Sequence, residues 1–336
     1  MRYLKHMLKE SLSGIRLIDC MFGVVLDADS LGKDVDLTPV TQLLDDWQVH
    51  PFTTPEQVAE RIKAATVVLT NKIVLDEASL SSAPALEFIS VMATGTNNID
   101  FLATASRGIK VSNALAYGTP SVVQHTLALI LNLSTSFHQY QASVRSGDWQ
   151  ASDVFCLLDH PIREIAGKQL GIVGYGELGK AVGTAGEALG MKIVVSEHPG
   201  REPREGRSKF EEVLRTSDYI SLHCPLNDAT SRIINVDTLA LMKQDAFLIN
   251  TARGGLVDPD DLISCLQAGN IAGAAIDVLE QEPPDMDDPL LKDIPNLIVT
   301  PHNAWAAIES RTRLIQQTRE NIEGFLIGAP VRLVNE

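Results

Sequence analysis

Gly174-Tyr175-Gly176-Glu177-Leu178-Gly179 stands between a short apolar run, Leu170–Val173, and a helical stretch, Lys180 to Leu189. In a strand–turn–helix setting each glycine has its own task. Gly174 permits a tight turn, Gly176 lets backbone N–H groups approach a pyrophosphate, and Gly179 lets the helix pack closely on the strand. Glu177 and Leu178 complete the loop at the positive end of the helix, where phosphates are stabilised. Glu197 closes the next apolar run, Ile193–Ser196, 18 positions after Gly179. A carboxylate at that place is suited to accept hydrogen bonds from the ribose hydroxyls of an adenine dinucleotide. The glycines, the helix and the acid together predict a dinucleotide site.

Three further clusters follow apolar runs: Asn250–Gly255, Asp277–Pro283 and Thr300–Trp305. Ligands of open α/β sheets sit beyond the carboxyl ends of the strands, so all three belong on the edge that carries the glycine loop. They bring Arg253, Glu282 and His302. Hydride leaving a nicotinamide puts negative charge on the carbonyl oxygen that receives it. A histidine supplies that oxygen with a proton, its ordinary pKa of about 6.5 lying near working pH. A carboxylate on the far ring nitrogen fixes the tautomer and favours the imidazolium. An arginine holds a substrate carboxylate and polarises the carbonyl. Taken singly, Arg253 reads as a salt bridge, Glu282 as a cap and His302 as a turn histidine; on one edge beside a cofactor loop they read as the machinery for reducing a 2-oxo acid. Cys224 has no basic partner near it in sequence and reads as a small apolar residue rather than a nucleophile. His50, His138 and His160 form no constellation.

Elements able to position these residues alternate along the chain. Before residue 112, strands are expected at Gly23–Asp27, Val67–Thr70, Phe88–Val91 and Ile109–Val111, with helices at Pro39–Trp47, Pro55–Ala64 and Ile99–Arg107. A long, largely apolar helix is expected from Pro120 to about Arg145. Six more strands begin at Gly171, Lys192, Tyr219, Phe247, Ala274 and Leu297, and a last helix runs from Ala304 to Leu326. This βα alternation predicts two doubly wound parallel-sheet α/β domains. The nucleotide domain sits mid-chain at 113–305, so residues 1–112 and 306–336 must form the other, substrate-binding domain. The segment His198–Lys209, rich in Arg, Glu, Pro and Gly, reads as an exposed turn.

The chain has 336 residues and a formal net charge of −15, which excludes nucleic acid and anionic membranes as natural partners but not a small anion held by an arginine. Its four cysteines, Cys20, Cys156, Cys224 and Cys265, make no C-x-x-C pair, so neither a metal site nor a disulfide framework is expected, and a reducing cytoplasm fits. Leu4, Met7, Leu8, Leu12 and Ile15 have helical spacing, but Arg16 and Asp19 break any signal-peptide core. Residues 1–20 read equally as an amphipathic extension or as sequence ahead of a start at Met21.

These motifs resemble the D-isomer-specific 2-hydroxyacid dehydrogenases from Phe22 to Val334. The matching segments are Ala93-Thr94-Gly95-Thr96-Asn97, Gly174–Gly179, Leu248–Gly254, Asp277–Pro283 and Thr300–Ala304. The resemblance implies a Rossmann NAD domain inserted into a flavodoxin-like substrate domain. It implies Arg253 as the activating residue, Glu282 as the orienting acid and His302 as proton donor. Thr94 and Gly95 would offer N–H groups to the substrate carboxylate. Asp277 would hold the nicotinamide carboxamide, with Thr251, Ala252, Cys224, Pro225, His302 and Ala304 against the cofactor. It also implies a homodimer supported by the long central helix.

Within the family, Leu69-Thr70-Asn71-Lys72, Gln124-His125-Thr126, Leu222–Leu226 and His302–Trp305 are most similar to the glycerate dehydrogenase and hydroxypyruvate reductase branch. Phosphite dehydrogenases share much of the His-x-Ala-Trp pattern and stand as an alternative, as do the non-catalytic NAD-sensing co-repressors. Formate dehydrogenases carry glutamine in place of Glu282. The end near Glu336 leaves no room for the regulatory domain of many phosphoglycerate dehydrogenases. A carboxylate at Glu197 should repel a 2′-phosphate and favour NAD over NADP, although Arg201, Arg204 and Arg207 follow close behind.

Overall fold

The computed structural model describes residues 21–335, so the reading of residues 1–20, Cys20 included, lies outside the described residues. The chain forms two compact units: one runs up to Gly118 and resumes at Ala306, the other is Thr119–Trp305.

The first unit holds β1 (Phe22–Val25), β2 (Asp46–Val49), β3 (Val67–Thr70), β4 (Phe88–Val91) and β5 (Lys110–Ser112). They pair in parallel in the order β2-β1-β3-β4-β5, the flavodoxin-like order. Every residue of β3 and β4 is buried, because a parallel strand covered on both faces has no solvent side. Both chain halves are needed to build this sheet's surroundings. Phe325, on the helix Ile308–Leu326, stacks on Phe88 at 4.6 Å, and Asn321 donates to Ser90 Oγ and to the Asn113 carbonyl. Past that helix, Val334 N–H donates to the Val111 carbonyl, beside β5.

The helix expected at Pro39–Trp47 is wrong over most of its length. The structure has a short helix, Thr38–Thr41, and then β2, in which Trp47 lies. Among the described residues β2 is an edge strand paired only with β1, and three of its four residues are exposed, so it lacks the apolar signature of a strand. What seats it is tertiary: the Trp47 indole lies where a side chain on Gly23 would be. The last helix also starts later than expected, at Ile308 rather than Ala304.

The second unit contains β6 (Gln169–Val173), β7 (Lys192–Ser196), β8 (Tyr219–Leu222), β9 (Phe247–Asn250), β10 (Gly273–Ile276) and β11 (Leu297–Val299). All pair in parallel, in the order β11-β10-β9-β8-β6-β7. Outside β7, Ser208 makes a single parallel bridge with Ser196. Counting that bridge as a vestigial third strand restores the Rossmann order 3-2-1-4-5-6, with one strand added at the far edge. Leu129, Ile130 and Leu133 of the helix Thr119–Thr135 join Leu170, Ile172, Val182 and Met191 in one core layer, so this helix is a core element of its own unit.

The expected single helix to Arg145 is broken. Ser136, at φ +52°, separates Thr119–Thr135 from Phe137–Ser146. A left-handed serine costs about 1–2 kcal/mol, which local bonds offset. Ser136 Oγ donates to the Pro161 carbonyl at 2.7 Å, and Asn132 Oδ1 accepts from the His138 amide at 3.2 Å.

Candidate active site

The glycine loop has the expected build. Gly174 sits at φ +94°, and a Cβ on it would run into the amide nitrogen of Cys224 at the carboxyl end of β8. A Cβ on Gly179 would strike the Gly174 carbonyl. Gly176 differs, since a Cβ there meets nothing within 4 Å. It is the N-cap of the helix Glu177–Ala188, and no side chain caps that first turn. Glu177 does not turn inward; its carboxylate accepts from Thr119 Oγ1. An uncapped helix N-terminus opening on free space, at the point where strand order reverses between β6 and β8, fits a dinucleotide pyrophosphate.

A cavity of about 180 Å³ adjoins the loop, lined by Gly174, Glu197, Cys224 and Pro225 with Arg201, Arg204 and Arg207. Burial pushes the Cys224 thiol up to about 11, so it is protonated at working pH and suits wall rather than nucleophile. Its neighbour His223 is pushed down to about 4 by burial; Nε2 pairs with Ser221 Oγ at 2.8 Å while Nδ1 has no partner among the described residues. The Glu197 side chain is 1% exposed and already engaged. Arg204 donates to it through Nε at 2.6 Å and Nη2 at 2.7 Å, and the His198 amide at 2.9 Å. These donors, Arg204 first, hold the carboxyl far below the usual carboxylate range.

At the carboxyl end of β9, Asn250 shapes the turn: its Nδ2 donates to the Arg253 carbonyl at 2.8 Å and its Oδ1 accepts from the Ala252 amide at 3.1 Å. Arg253 leaves this turn exposed, with Nη1 on the Ala252 carbonyl. Thr251 is buried, its hydroxyl 3.2 Å from that of Thr126. Gly254 fits only because it lacks a Cβ, which would meet the Leu279 carbonyl; this brings the Arg253 turn against the turn leading to Glu282. Glu282 Oε1 accepts from the Leu279 amide at 2.9 Å, and Oε2 lies 2.5 Å from His302 Nδ1. Both side chains are about one-third exposed or less. His302 Nε2 has no hydrogen bond among the described residues and is the end left for a substrate.

His302 itself sits at φ +50°, a left-handed conformation for a residue with a Cβ. Asp277 explains how it is held. The Asp277 carbonyl accepts the His302 amide at 2.8 Å, and its carboxylate accepts from Thr300 Oγ1 at 2.6 Å, the Asn303 amide at 3.1 Å and the Ala304 amide at 3.0 Å. His125 Nε2 lies 3.1 Å from Thr300 Oγ1 and 3.4 Å from Asp277 Oδ1, so it reaches the carboxylate directly. These donors keep the 1% exposed carboxyl below its usual range despite burial. Asp277 thus ties the turn that carries His302 and buries Ala304. Sequence reasoning missed this part. His125 and Thr300 stand in motifs that were legible, but their partner lies on another element.

In the first unit, Thr94 and Gly95 follow β4 beyond its carboxyl end. Neither of their N–H groups has a partner among the described residues, and the turn is fastened by Asn113 Nδ2 donating to the Thr94 carbonyl at 2.8 Å. Among the described residues no group of three or more His, Cys, Asp or Glu is placed to hold a metal ion, and no helix is long and apolar enough to cross a membrane.

A dinucleotide-type sheet whose carboxyl edge carries a carboxylate-held histidine and a neighbouring arginine turn defines a nicotinamide-dependent oxidoreductase. The profile of the D-isomer specific 2-hydroxyacid dehydrogenase NAD binding domain matches residues 127–304. Similar proteins extend the match well beyond that domain. The glycerate dehydrogenase of Methylorubrum extorquens is 43% identical over 282 residues, 84% of this chain and 89% of that one. The hydroxypyruvate reductase of Blautia hydrogenotrophica is 38% identical, over 85% and 89% of the two chains. An NADPH-dependent glyoxylate/hydroxypyruvate reductase from Sinorhizobium meliloti, solved with NADP and malonate, superposes with a TM-score of 0.78 at 25% identity, over 94% of this chain and 97% of that one. The chain belongs to the D-isomer-specific 2-hydroxyacid dehydrogenase family.

Proposed function

We propose that this protein reduces a small 2-oxo acid of the hydroxypyruvate or glyoxylate class to its D-2-hydroxy acid, and catalyses the reverse reaction. The observation that carries this reading is the contact of Glu282 with His302 Nδ1, which leaves Nε2 without a partner among the described residues on the sheet edge that also bears Arg253. The bound nicotinamide cofactor supplies or removes the hydride. Glu282, through Nδ1–H, keeps the proton to be delivered on Nε2 and balances the imidazolium. His302 gives that proton to the carbonyl oxygen, becomes neutral, and takes a proton back from the hydroxyl in the reverse direction. Arg253 draws the carbonyl oxygen and the carboxylate by its charge and fork of donors. Thr94 and Gly95, whose N–H groups have no partner among the described residues, are proposed as donors to a substrate carboxylate. The names of the similar proteins support this substrate class.

The test is oxidation of NADH and NADPH by purified protein with hydroxypyruvate, glyoxylate, pyruvate and a bulkier 2-oxo acid. Turnover fastest with the first two is the expected result; silence across the panel with cofactor still bound would refute the substrate reading. His302→Ala should lower kcat by about 10²–10⁴-fold, the range of a lost general acid, while leaving cofactor affinity within about threefold. Full activity in that variant would remove His302 from the role.

A homodimer in the cytoplasm completes the proposal. Phe155 is 89% exposed, Leu158 77% and Trp149 51%, all in the segment after the broken helix, an apolar concentration of the kind that a second copy covers. Light scattering should give twice the chain mass, and Phe155→Asp with Leu158→Asp should give the monomer; a monomeric parent protein would refute it.

A further inference from the structure

The cavity beside the glycine loop is not built as a pure diol-binding site. A carboxylate offers about four lone-pair positions. Those of Glu197 are taken by Arg204 Nε and Nη2, by the His198 amide and by the Arg204 amide at 3.4 Å, with Arg207 Nη1 a further 3.6 Å away. No acceptor is left for ribose hydroxyls. The face turned to a ligand is instead made of donors. Arg204 uses two of its five guanidinium N–H groups on Glu197, and its side chain is still 66% exposed. Arg201 and Arg207 line the same cavity, giving a surplus of two positive charges over Glu197 in a protein whose net charge is −15. The loop that carries them is pinned at its base, where Glu197 N–H donates to the Ser208 carbonyl and Ser208 N–H to the Val195 carbonyl.

We propose that Glu197 acts as the anchor that aims Arg204, and that the Arg201–Arg204–Arg207 cluster is a subsite for the 2′-phosphate of NADP(H), so that the protein accepts the phosphorylated cofactor despite its strand-end acid. This rests on the cavity being the adenosine end of the cofactor site. It changes the expectation drawn from the sequence, in which Glu197 repels the phosphate. A carboxylate already neutralised by a bidentate guanidinium presents little field of its own, whereas an acceptor-only dianion satisfies the unused N–H groups.

Binding of adenosine 2′,5′-bisphosphate and of 5′-AMP to the full-length protein, measured by calorimetry, tests it without any turnover. The bisphosphate should bind about 10- to 100-fold more tightly, the worth of one or two charge-assisted hydrogen bonds. Arg204→Ala should erase that preference. Glu197→Gln should also reduce it, because the fork is released; if Glu197 were the ribose acceptor, the loss would fall on 5′-AMP instead. Equal or tighter binding of 5′-AMP by the unmodified protein overturns the proposal, and so does an Arg204→Ala variant that loses both ligands equally. Failure of both nucleotides to bind would sink the cofactor pocket itself. Selective bisphosphate binding with no 2-oxo acid turned over would sink only the substrate reading and leave this inference standing.

Discussion

Replacing Gly176 by alanine should separate folding from cofactor binding, because of the three loop glycines it alone faces open space. Its backbone, φ −78° and ψ −154°, is open to any residue. Removing glycine's freedom in the unfolded chain stabilises by about 0.4–1 kcal/mol. Alanine is a poorer N-cap than glycine, and that loss is of similar size. The two nearly cancel, leaving stability within about 0.5 kcal/mol, or a shift in Tm of under about 2 °C for a chain of this size. Cofactor binding should respond very differently. A methyl group at the point of closest backbone approach holds a pyrophosphate off the uncapped first turn. Losing one or two charge-assisted hydrogen bonds, each about 1.5–3 kcal/mol, weakens binding about 10-fold or more. Thermal melts paired with nucleotide fluorescence titrations read both quantities on one sample. A Gly176→Ala protein that melts normally and binds NAD(P)H within threefold of the parent would refute the placement of the pyrophosphate.

Asp277→Asn should cost about 2–4 kcal/mol, since an amide nitrogen placed opposite the Ala304 N–H leaves two donors facing each other in a buried site. A Tm lowered by several degrees with a lower kcat is expected, and an unchanged melt would show that the carboxylate does not hold the His302 turn. His223 makes stability depend on pH. Its value falls from 6.5 to about 4 on folding, so the unfolded chain binds more protons between those limits. Its stabilising share is therefore complete above pH 6.5 and is lost as pH falls toward 4, by at most about 3 kcal/mol. Urea midpoints at pH 7, 5.5 and 4.5 should fall less steeply in His223→Asn, and identical slopes in the two proteins would discard the assignment.

Local patterns made much of this molecule legible. Buried parallel strands such as Val67–Thr70, Phe88–Val91 and Phe247–Asn250 lie where their apolar runs place them. Glycines with a steric task, Gly174 and Gly179, declare themselves by spacing. Glu282 and His302 could be put on one edge because strand ends in a parallel sheet share an edge, and the structure brings them into contact. Edge and turn features were less legible. β2 has three exposed residues and gains its place from Trp47 over Gly23, and the break at Ser136 depends on a carbonyl 25 residues away.

The sequence by itself determined the alternation of strands and helices, the glycine loop and the histidine and carboxylate that share one sheet edge, since each is written in residues close together in the chain or in a fixed relation to a strand end. Only the tertiary structure decided what Glu197 and Asp277 do. Both are strand-end acids in the sequence, yet one is filled by Arg204 and the other by the turn that carries His302. A carboxylate's role is set by the donors that reach it, and those arrive from loops whose path the local pattern does not encode.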